Sequence, residues 1–228
     1  MMKKDETYYT AKTFDYIAKR YDRSVEKKFG LEFYSLAAKL AGVEEGDKVL
    51  DVGCGTGTLA LMLKKQVGNN GFVAGIDVSS GMLKQAKIKS DKENLHIEFR
   101  VASIEKIPFS DNFFDAVTST WVFHQLPPSL KKEGLKEIIR VLRVGGHFLL
   151  VDLHRIANPL RAFFNLPFYW WSDGYKIHVR GKLPDLLTEV GFIEVKIINR
   201  IRDKIDYISS FKPKEFDKGG IPGEYWAF

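Results

Sequence analysis

The chain has 228 residues, of which 45% are hydrophobic and 28% charged, and this ordinary balance predicts one globular domain, 1–228, with a full core. The formal net charge of +6 comes from scattered lysines, which favours a solvated surface over a nucleic-acid interface. A single cysteine excludes an intramolecular disulfide, and the sequence shows neither a secretory leader nor an apolar run that could span a bilayer. We therefore expect a cytoplasmic protein without a transmembrane segment, and peripheral contact with a membrane stays open.

Strand-like and helix-like segments alternate along the chain, which indicates a parallel α/β sheet. N-terminal helices are expected within about 11–42. The predicted strands are 48–52, 71–77, 95–101, 115–119, 147–153, 192–198 and 205–211, and later helices are expected at 58–67, after Ser79 or Ser80, around Leu135–Leu142 and at 183–190. Gly145-Gly146 is expected to end the helix around Leu135–Leu142 and to open the fifth strand. The fold class is thus a Rossmann-like, doubly wound, seven-stranded sheet, mostly parallel with an antiparallel last strand.

The most informative segment is a glycine-rich turn, 53–57, that follows the first strand and leads into a helix. Such a turn lets backbone approach a ligand closely at the carboxyl edge of a sheet. Asp77 ends the second strand twenty positions beyond Gly57, where an acid can bind both hydroxyls of a ribose. The alternative is that Asp77 only caps the following helix.

The glycine spacing separates two kinds of nucleotide. A dinucleotide fingerprint requires Gly or Ala where this chain has Thr58, and here Asp51 stands two residues before the first glycine. A carboxylate beside the turn repels a pyrophosphate and suits a ligand that carries an ammonium group. A nicotinamide-dependent oxidoreductase is therefore disfavoured.

Several motifs in order along the chain resemble those of the class I S-adenosylmethionine-dependent methyltransferases, type 11 small-molecule group. They are 14–22 (FDYIAKRYD), 51–57 (DVGCGTG), 75–79 (GIDVS), 107–112 (IPFSDN), 115–117 (DAV), 122–124 (VFH) and 140–146 (RVLRVGG). The resemblance implies S-adenosylmethionine as cofactor, S-adenosylhomocysteine as product, and a small-molecule acceptor. No metal is implied.

The resemblance also implies which residues hold the cofactor. Asp51 would bind the methionine ammonium, Asp77 the ribose hydroxyls, and Gly53 and Gly55 would leave room for the ligand. Further expected contacts are Val78 and Met82 on the adenine face, Ser103 and Ile104 near the adenine amine, Ser119 under the methionine moiety, and Tyr21 over the cofactor. Ser103 departs from the family, which usually has an aspartate there.

Candidate general bases lie near the carboxyl edges of the fourth and fifth strands, where acceptors bind in this architecture. They are His124, Asp152 and His154. A base is needed only if the acceptor must lose a proton during the transfer. A histidine after an apolar strand is more often a structural residue, so the catalytic residue stays unassigned.

Motifs that the sequence lacks reduce the number of possible methyl acceptors. The lone Cys54 lies in the glycine turn, which disfavours a pyrimidine methyltransferase with a covalent cysteine. Residues 119–122 read STWV in place of the Asn/Asp-Pro-Pro-Tyr turn of many adenine methyltransferases. An aromatic-rich segment at about 155–180 is a candidate lid for an apolar acceptor, or else a helix packed on the sheet or a homodimer contact.

The quinone-biosynthesis C-methyltransferases resemble this chain in the helix 14–22, but their turn reads Val-Ala-Gly-Gly-Thr-Gly. Here it reads VGCGTG at 52–57. A quinone-like, lipid-like or aromatic acceptor therefore remains open at this point. A nucleic-acid methyltransferase and a non-catalytic protein that binds S-adenosylmethionine are the alternatives.

Overall fold

The computed structural model describes residues 11–23, 30–153, 182–201 and 205–214, which form one seven-stranded sheet with helices on both faces. In chain order the elements are α1 (11–23), α2 (Glu32–Leu40), β1 (Lys48–Val52), α3 (Thr58–Val67), β2 (Phe72–Asp77), α4 (Ser80–Lys92), β3 (Glu98–Val101), β4 (Phe114–Thr120), a 3-10 turn (Phe123–Gln125), α5 (Pro128–Val141), β5 (Leu142–Leu153), α6 (Leu183–Val190), β6 (Ile193–Ile201) and β7 (Ile205–Phe211).

The strand order is β3-β2-β1-β4-β5-β7-β6, and β7 runs antiparallel to both of its neighbours. The predicted fold class is therefore confirmed, including the antiparallel last strand. Strand order reverses between β1 and β4, and in open α/β sheets ligands bind at the carboxyl ends beside such a reversal. The register places Asp51 of β1 between Gly75 of β2 and Thr118 of β4.

Strand β1 contributes side chains to two hydrophobic cores, one on each face of the sheet, because helices cover both faces. Val49 packs in the core beneath α2 and α3. Leu50 and Val52 pack in the other core, beneath α5 and α6. Asp51 interrupts this apolar strand although it is as buried as its neighbours, so its presence needs a functional explanation.

The third strand is shorter than predicted. Strand β3 begins at Glu98, which pairs with Ala74, rather than at Leu95. The backbone N–H of Leu95 instead donates to the carbonyl of Ser90 at the end of α4, and Ile97 is buried in the core beneath α2 and α3. These apolar residues anchor the connection rather than extend the strand.

The expected role of Gly145-Gly146 is wrong. Helix α5 ends at Val141, and Leu142 already begins β5, so both glycines lie inside the strand. The N–H of Gly145 donates to the carbonyl of Lys212, and the N–H of Lys212 donates to the carbonyl of Gly146. These bonds continue the β5–β7 ladder past a register shift in the β4–β5 pair, where Gly145 takes a positive φ of 72°.

The proposed lid at about 155–180 and His154 lie outside the described residues. In the described part of the chain, no helix is long and apolar enough to cross a bilayer. Within the same residues, no three His, Cys, Asp or Glu side chains cluster as metal ligands.

The side chain of Lys64 binds backbone carbonyl groups just after the end of α3, and substitution of Lys64 tests this part of the fold. Its buried Nζ donates to the carbonyls of Gly68 at 2.8 Å and Gly71 at 2.7 Å. Replacing Lys64 by Met keeps the stem but leaves two carbonyl groups without this donor, so we expect the free energy of unfolding in urea to fall by about 1–3 kcal/mol.

Lys65→Met is the matched control, because Lys65 forms an exposed ion pair with Glu93. Its effect should stay below about 1 kcal/mol. Equal losses in the two variants would contradict the role given to Lys64.

Candidate functional site

The glycine turn is fastened to β2 and leaves open space at one glycine. The N–H groups of Gly53 and Cys54 donate to the carbonyl of Ile76 at 2.8 and 3.0 Å. A Cβ on Gly53 would lie 2.2 Å from Cγ2 of Val122, so packing requires this glycine. A Cβ on Gly55 would meet no atom of the described residues within 4 Å, so this part of the structure leaves room for a ligand at this point of the turn.

Asp51 is a buried acid with an available oxygen. Its Oδ1 accepts a hydrogen bond from Oγ1 of Thr118 at 2.9 Å, whereas its Oδ2 meets no hydrogen-bond donor among the described residues. Burial raises the pKa of Asp51 to about 7; the Thr118 hydrogen bond lowers it and the nearby charge of Asp77 raises it further. A carboxylate held in this way is suited to a cationic group of a ligand.

Asp77 is oriented by backbone groups rather than by another side chain. Its Oδ2 accepts from the N–H of Gly55 at 2.9 Å and its Oδ1 accepts from the N–H of Ser79 at 2.8 Å. Burial raises its pKa, and these two backbone hydrogen bonds act in the opposite direction. A carboxylate has about four acceptor positions, so two hydroxyls of a ribose can still be accommodated. The helix cap itself is Ser79, whose Oγ accepts from the N–H of Met82.

The residues expected around the adenine lie at the same carboxyl edge, after β2 and β3. Met82 is buried and Val78 is half-buried. The Ser103 hydroxyl donates to the carboxylate of Glu105, so an acid two residues further on accompanies the serine that departs from the family. Ile104 is buried in the core beneath α5. Their contacts with a cofactor remain predictions.

Ser119 and Tyr21 have different local roles. The Ser119 hydroxyl is buried and donates to the carbonyl of Val52 at 3.0 Å, so it joins β4 to β1 at their carboxyl ends. Tyr21 is half-buried on α1 and packs edge-to-face with Phe14. The cofactor contacts expected of both side chains remain predictions.

Two acids of α1 that our sequence analysis did not single out attach this helix to the site. Asp15 accepts from Oγ of Ser79 at 2.6 Å, and Asp22 accepts from the Thr56 hydroxyl of the glycine turn and from Nζ of Lys89 at 2.8 Å. Both acids belong to the motif 14–22, and their spacing of seven residues places them on one helix face. That spacing was a usable signal for their role.

His124 and Asp152, two of the three candidate bases, form a buried pair. His124 lies in the 3-10 turn after β4, and its Nδ1 is 2.8 Å from Oδ1 of Asp152 in β5. The N–H of Leu153 also donates to Oδ1 at 2.7 Å, and the N–H of His124 donates to Oδ2 at 3.2 Å. The carboxylate therefore fixes the imidazole ring in position.

Lys131 is a further buried charge that the sequence analysis missed. It is fully buried on α5, where desolvation lowers its pKa to about 8 and the charge of Asp152 acts in the opposite direction. The signal was present in the sequence, because Lys131 precedes Leu135 and Ile138 by four and seven residues on the apolar helix face.

Comparison with known proteins identifies the fold and the relatives. Residues 49–146 match a family model described as a methyltransferase domain. A demethylmenaquinone methyltransferase of Desulfitobacterium hafniense (strain Y51) is 35% identical over 79% of this chain and 71% of its own length. The ubiquinone/menaquinone biosynthesis C-methyltransferase UbiE of Laribacter hongkongensis (strain HLHK9) is 29% identical over 86% of this chain and 88% of its own length.

A solved structure has the same fold as this chain. The crystal structure of a SAM dependent methyltransferase from Aquifex aeolicus superposes with a TM-score of 0.68 at 24% identity, over 86% of this chain and 97% of that one. This likeness shows a shared fold. Together with the sequence relatives, it confirms the resemblance drawn from the motifs.

The two glycines of the turn allow packing and ligand space to be tested separately. Alanine at Gly53 or Gly55 has to adopt a positive φ, which costs about 1–2 kcal/mol in each case, but only Gly53→Ala adds a clash with Val122. We therefore expect Gly53→Ala to lower the melting temperature more than Gly55→Ala does. Gly55→Ala should weaken S-adenosylhomocysteine binding by at least about tenfold in calorimetry. Unchanged affinity in Gly55→Ala would show that no ligand occupies this space.

The raised pKa of Asp51 predicts how stability depends on pH. The folded protein holds the Asp51 proton up to pH about 7, whereas an ordinary aspartate, with a pKa of 3.8, has released it. Stability without ligand should therefore fall as the pH rises from about 4 to about 7. Asp51→Asn keeps an acceptor for Thr118 and cannot ionise, so it should be more stable than the wild type at pH 7, by as much as about 4 kcal/mol.

The gain should vanish near pH 4, and the same variant should lose affinity for S-adenosylhomocysteine. Asp91→Asn is the control, because Asp91 forms only an exposed ion pair with Lys87. If the Asp51→Asn protein is no more stable than wild type in denaturant titrations at pH 7, the raised pKa of Asp51 is refuted.

Proposed function

We propose that this chain, which belongs to the class I S-adenosylmethionine-dependent methyltransferases of the quinone-biosynthesis type, methylates a quinol-type acceptor. Relatives named demethylmenaquinone methyltransferase and ubiquinone/menaquinone biosynthesis C-methyltransferase support this acceptor class. The glycine turn at 52–57 differs from the one that the sequence analysis expected for quinone enzymes. The similarity to these relatives extends over most of the chain, so it is stronger support for the acceptor class than the turn sequence is against it.

The described residues fit S-adenosylmethionine. The open Oδ2 of Asp51 would accept from the ammonium group, Asp77 would accept from the ribose hydroxyls, and the space beside Gly55 would receive the ligand. The buried carboxylates also favour a ligand with net positive charge. When bound, the cofactor supplies a methyl group already activated by the positive sulfur, so alignment and exclusion of water can account for much of the acceleration.

The His124–Asp152 pair carries the proposal for the acceptor side. Methylation at a ring carbon of a quinol is easier when a ring hydroxyl gives up its proton. With the His124 proton on Nδ1 and donated to Asp152, the Nε2 atom carries the lone pair that can accept that proton. Asp152 then stabilises the imidazolium. Burial of both side chains keeps competing water away from the pair.

Lys131 would balance the charge of the pair. Its ammonium lies on α5 near Asp152, in a part of the protein where water cannot screen it. Such a cation favours the ionised form of Asp152 and keeps the carboxylate available as an acceptor for Nδ1 of His124. Lys131 is thus proposed as a positioning residue rather than as a group that contacts the acceptor.

The alternatives from the sequence are not favoured. Neither a nucleic-acid methyltransferase nor a non-catalytic binding protein agrees with the relatives, which align over most of the chain and are named as quinone-biosynthesis methyltransferases. A buried histidine–carboxylate pair beside the acceptor edge also has a direct use in proton transfer. The methyl-transfer assay described below would detect a non-catalytic protein by its lack of turnover.

The experiment is methyl transfer to a short-chain naphthoquinol kept reduced, with the methylated product identified by mass spectrometry. We expect turnover by the wild type and a fall in kcat of about 10²–10⁴-fold in His124→Gln and in Asp152→Asn, because general acid–base catalysis is lost. The double variant should be no slower than the slower single variant, since the two side chains act as a unit. Affinity for S-adenosylhomocysteine should be unchanged.

His96→Gln is the matched control, because His96 is exposed and precedes β3. A wild-type protein that binds the cofactor but transfers no methyl group to the quinol would refute the acceptor class. Turnover that survives in both single variants would refute the role of the pair while leaving the acceptor class intact.

A further inference from the structure

Helix α1 carries a basic stripe along its outer face. Since an α-helix has 3.6 residues per turn, Lys12, Tyr16, Lys19 and Arg23, at spacings of four, three and four, lie along one side. All four side chains are exposed, and Tyr16 in their midst is 90% exposed. The stripe therefore presents an aromatic ring among cations to the surroundings.

The acids of the same helix face the body of the protein. Asp15 accepts from Oγ of Ser79 and from the N–H of Gly81 at 2.7 Å, and Asp22 is bound by Thr56 and Lys89. The charges of α1 are thus sorted, with carboxylates used for attachment and cations presented outwards. Because the two acids are used for attachment, the outer face of α1 is more positive than the net charge of the helix indicates.

The position of α1 connects this face to the candidate site. Asp15 joins the helix to the start of α4 beside Asp77, and Asp22 joins it to the glycine turn. A surface that docks on the outer face of α1 is therefore held close to Asp77 and the glycine turn, the candidate cofactor site. Docking would orient the whole site relative to that surface.

We propose that the basic outer face of α1 docks on an anionic lipid bilayer. The negative surface potential of an anionic leaflet attracts polybasic protein segments, and tyrosine is favoured at the headgroup level. Each cation near an anionic surface adds to the attraction. The proposal rests on the proposed function, because an amphipathic quinol resides in a bilayer and an enzyme for it must reach that surface.

The test is co-sedimentation of the full chain with large vesicles, either of phosphatidylcholine alone or of an equimolar mixture with phosphatidylglycerol. We expect binding to the anionic vesicles only, and weaker binding as salt rises. The double variant Lys19→Gln/Arg23→Gln should bind them about 30-fold more weakly. Tyr16→Ser should weaken binding at unchanged net charge.

A matched control removes the same charge elsewhere. Lys106→Gln/Lys196→Gln changes two exposed lysines outside α1 and should keep nearly all of the vesicle binding. The proposal is overturned by equal binding to neutral vesicles, by equal loss in the control, or by tight binding to an oligonucleotide with no binding to vesicles.

Activity assays separate this proposal from the proposed function. In the Lys19→Gln/Arg23→Gln variant, methyl transfer to a soluble short-chain quinol should equal that of the wild type, and transfer to a long-chain quinol embedded in anionic vesicles should fall. Vesicle binding by the wild type without transfer to either quinol would refute the acceptor and leave the docking face supported. Equal transfer to the embedded quinol in wild type and variant would overturn the docking proposal alone.

Discussion

The carboxylate of Asp51 lies in the central strand, 1% exposed, where a negative charge is unfavourable unless a cation meets it. The hydroxyl of Thr118 on the neighbouring strand binds one of its oxygens, and the second oxygen has no hydrogen-bond donor among the described residues. The glycine turn has open space beside Gly55 among the described residues, and the N–H of Gly55 donates to the carboxylate of Asp77. We therefore propose that the same few residues select both the charge and the shape of the ligand.

The described residues contain two groups of buried charges near the carboxyl ends of the strands, and their surroundings differ. At β1 and β2, we propose that the carboxylates of Asp51 and Asp77 bind the cationic cofactor. Helix α1 is attached beside them through Asp15 and Asp22. At β4 and β5, the carboxylate of Asp152 is already matched by His124 and lies near Lys131. We propose that the first arrangement binds the cofactor and that the second accepts a proton from the acceptor.

Much of the fold followed from the sequence, because buried strands and glycine turns have strong local signals. The segments 48–52 and 205–211 were predicted with the bounds that the structure has, and Asp51 and Asp77 lie at the predicted edge. Long-range pairing explains the failures: β5 starts at Leu142, which pairs with Phe114 of β4, and the bonds to Lys212 keep Gly145-Gly146 within the strand. No local sequence pattern indicates these pairings. The pairing of Asp51 with Thr118 depends on strand register, whereas the burial of Lys131 could have been predicted from its spacing to Leu135 and Ile138.

The central claim is that Asp51 receives the cationic group of the cofactor, and proton release on binding tests it most directly. Calorimetry of S-adenosylhomocysteine binding at pH 7, in buffers with different ionisation enthalpies, measures the protons that leave the protein. Since Asp51 has a pKa of about 7 without ligand, a bound ammonium should cause release of about half a proton, and Asp51→Asn should release none. Binding without proton release in the wild type, or the same release in Asp51→Asn, would contradict the account.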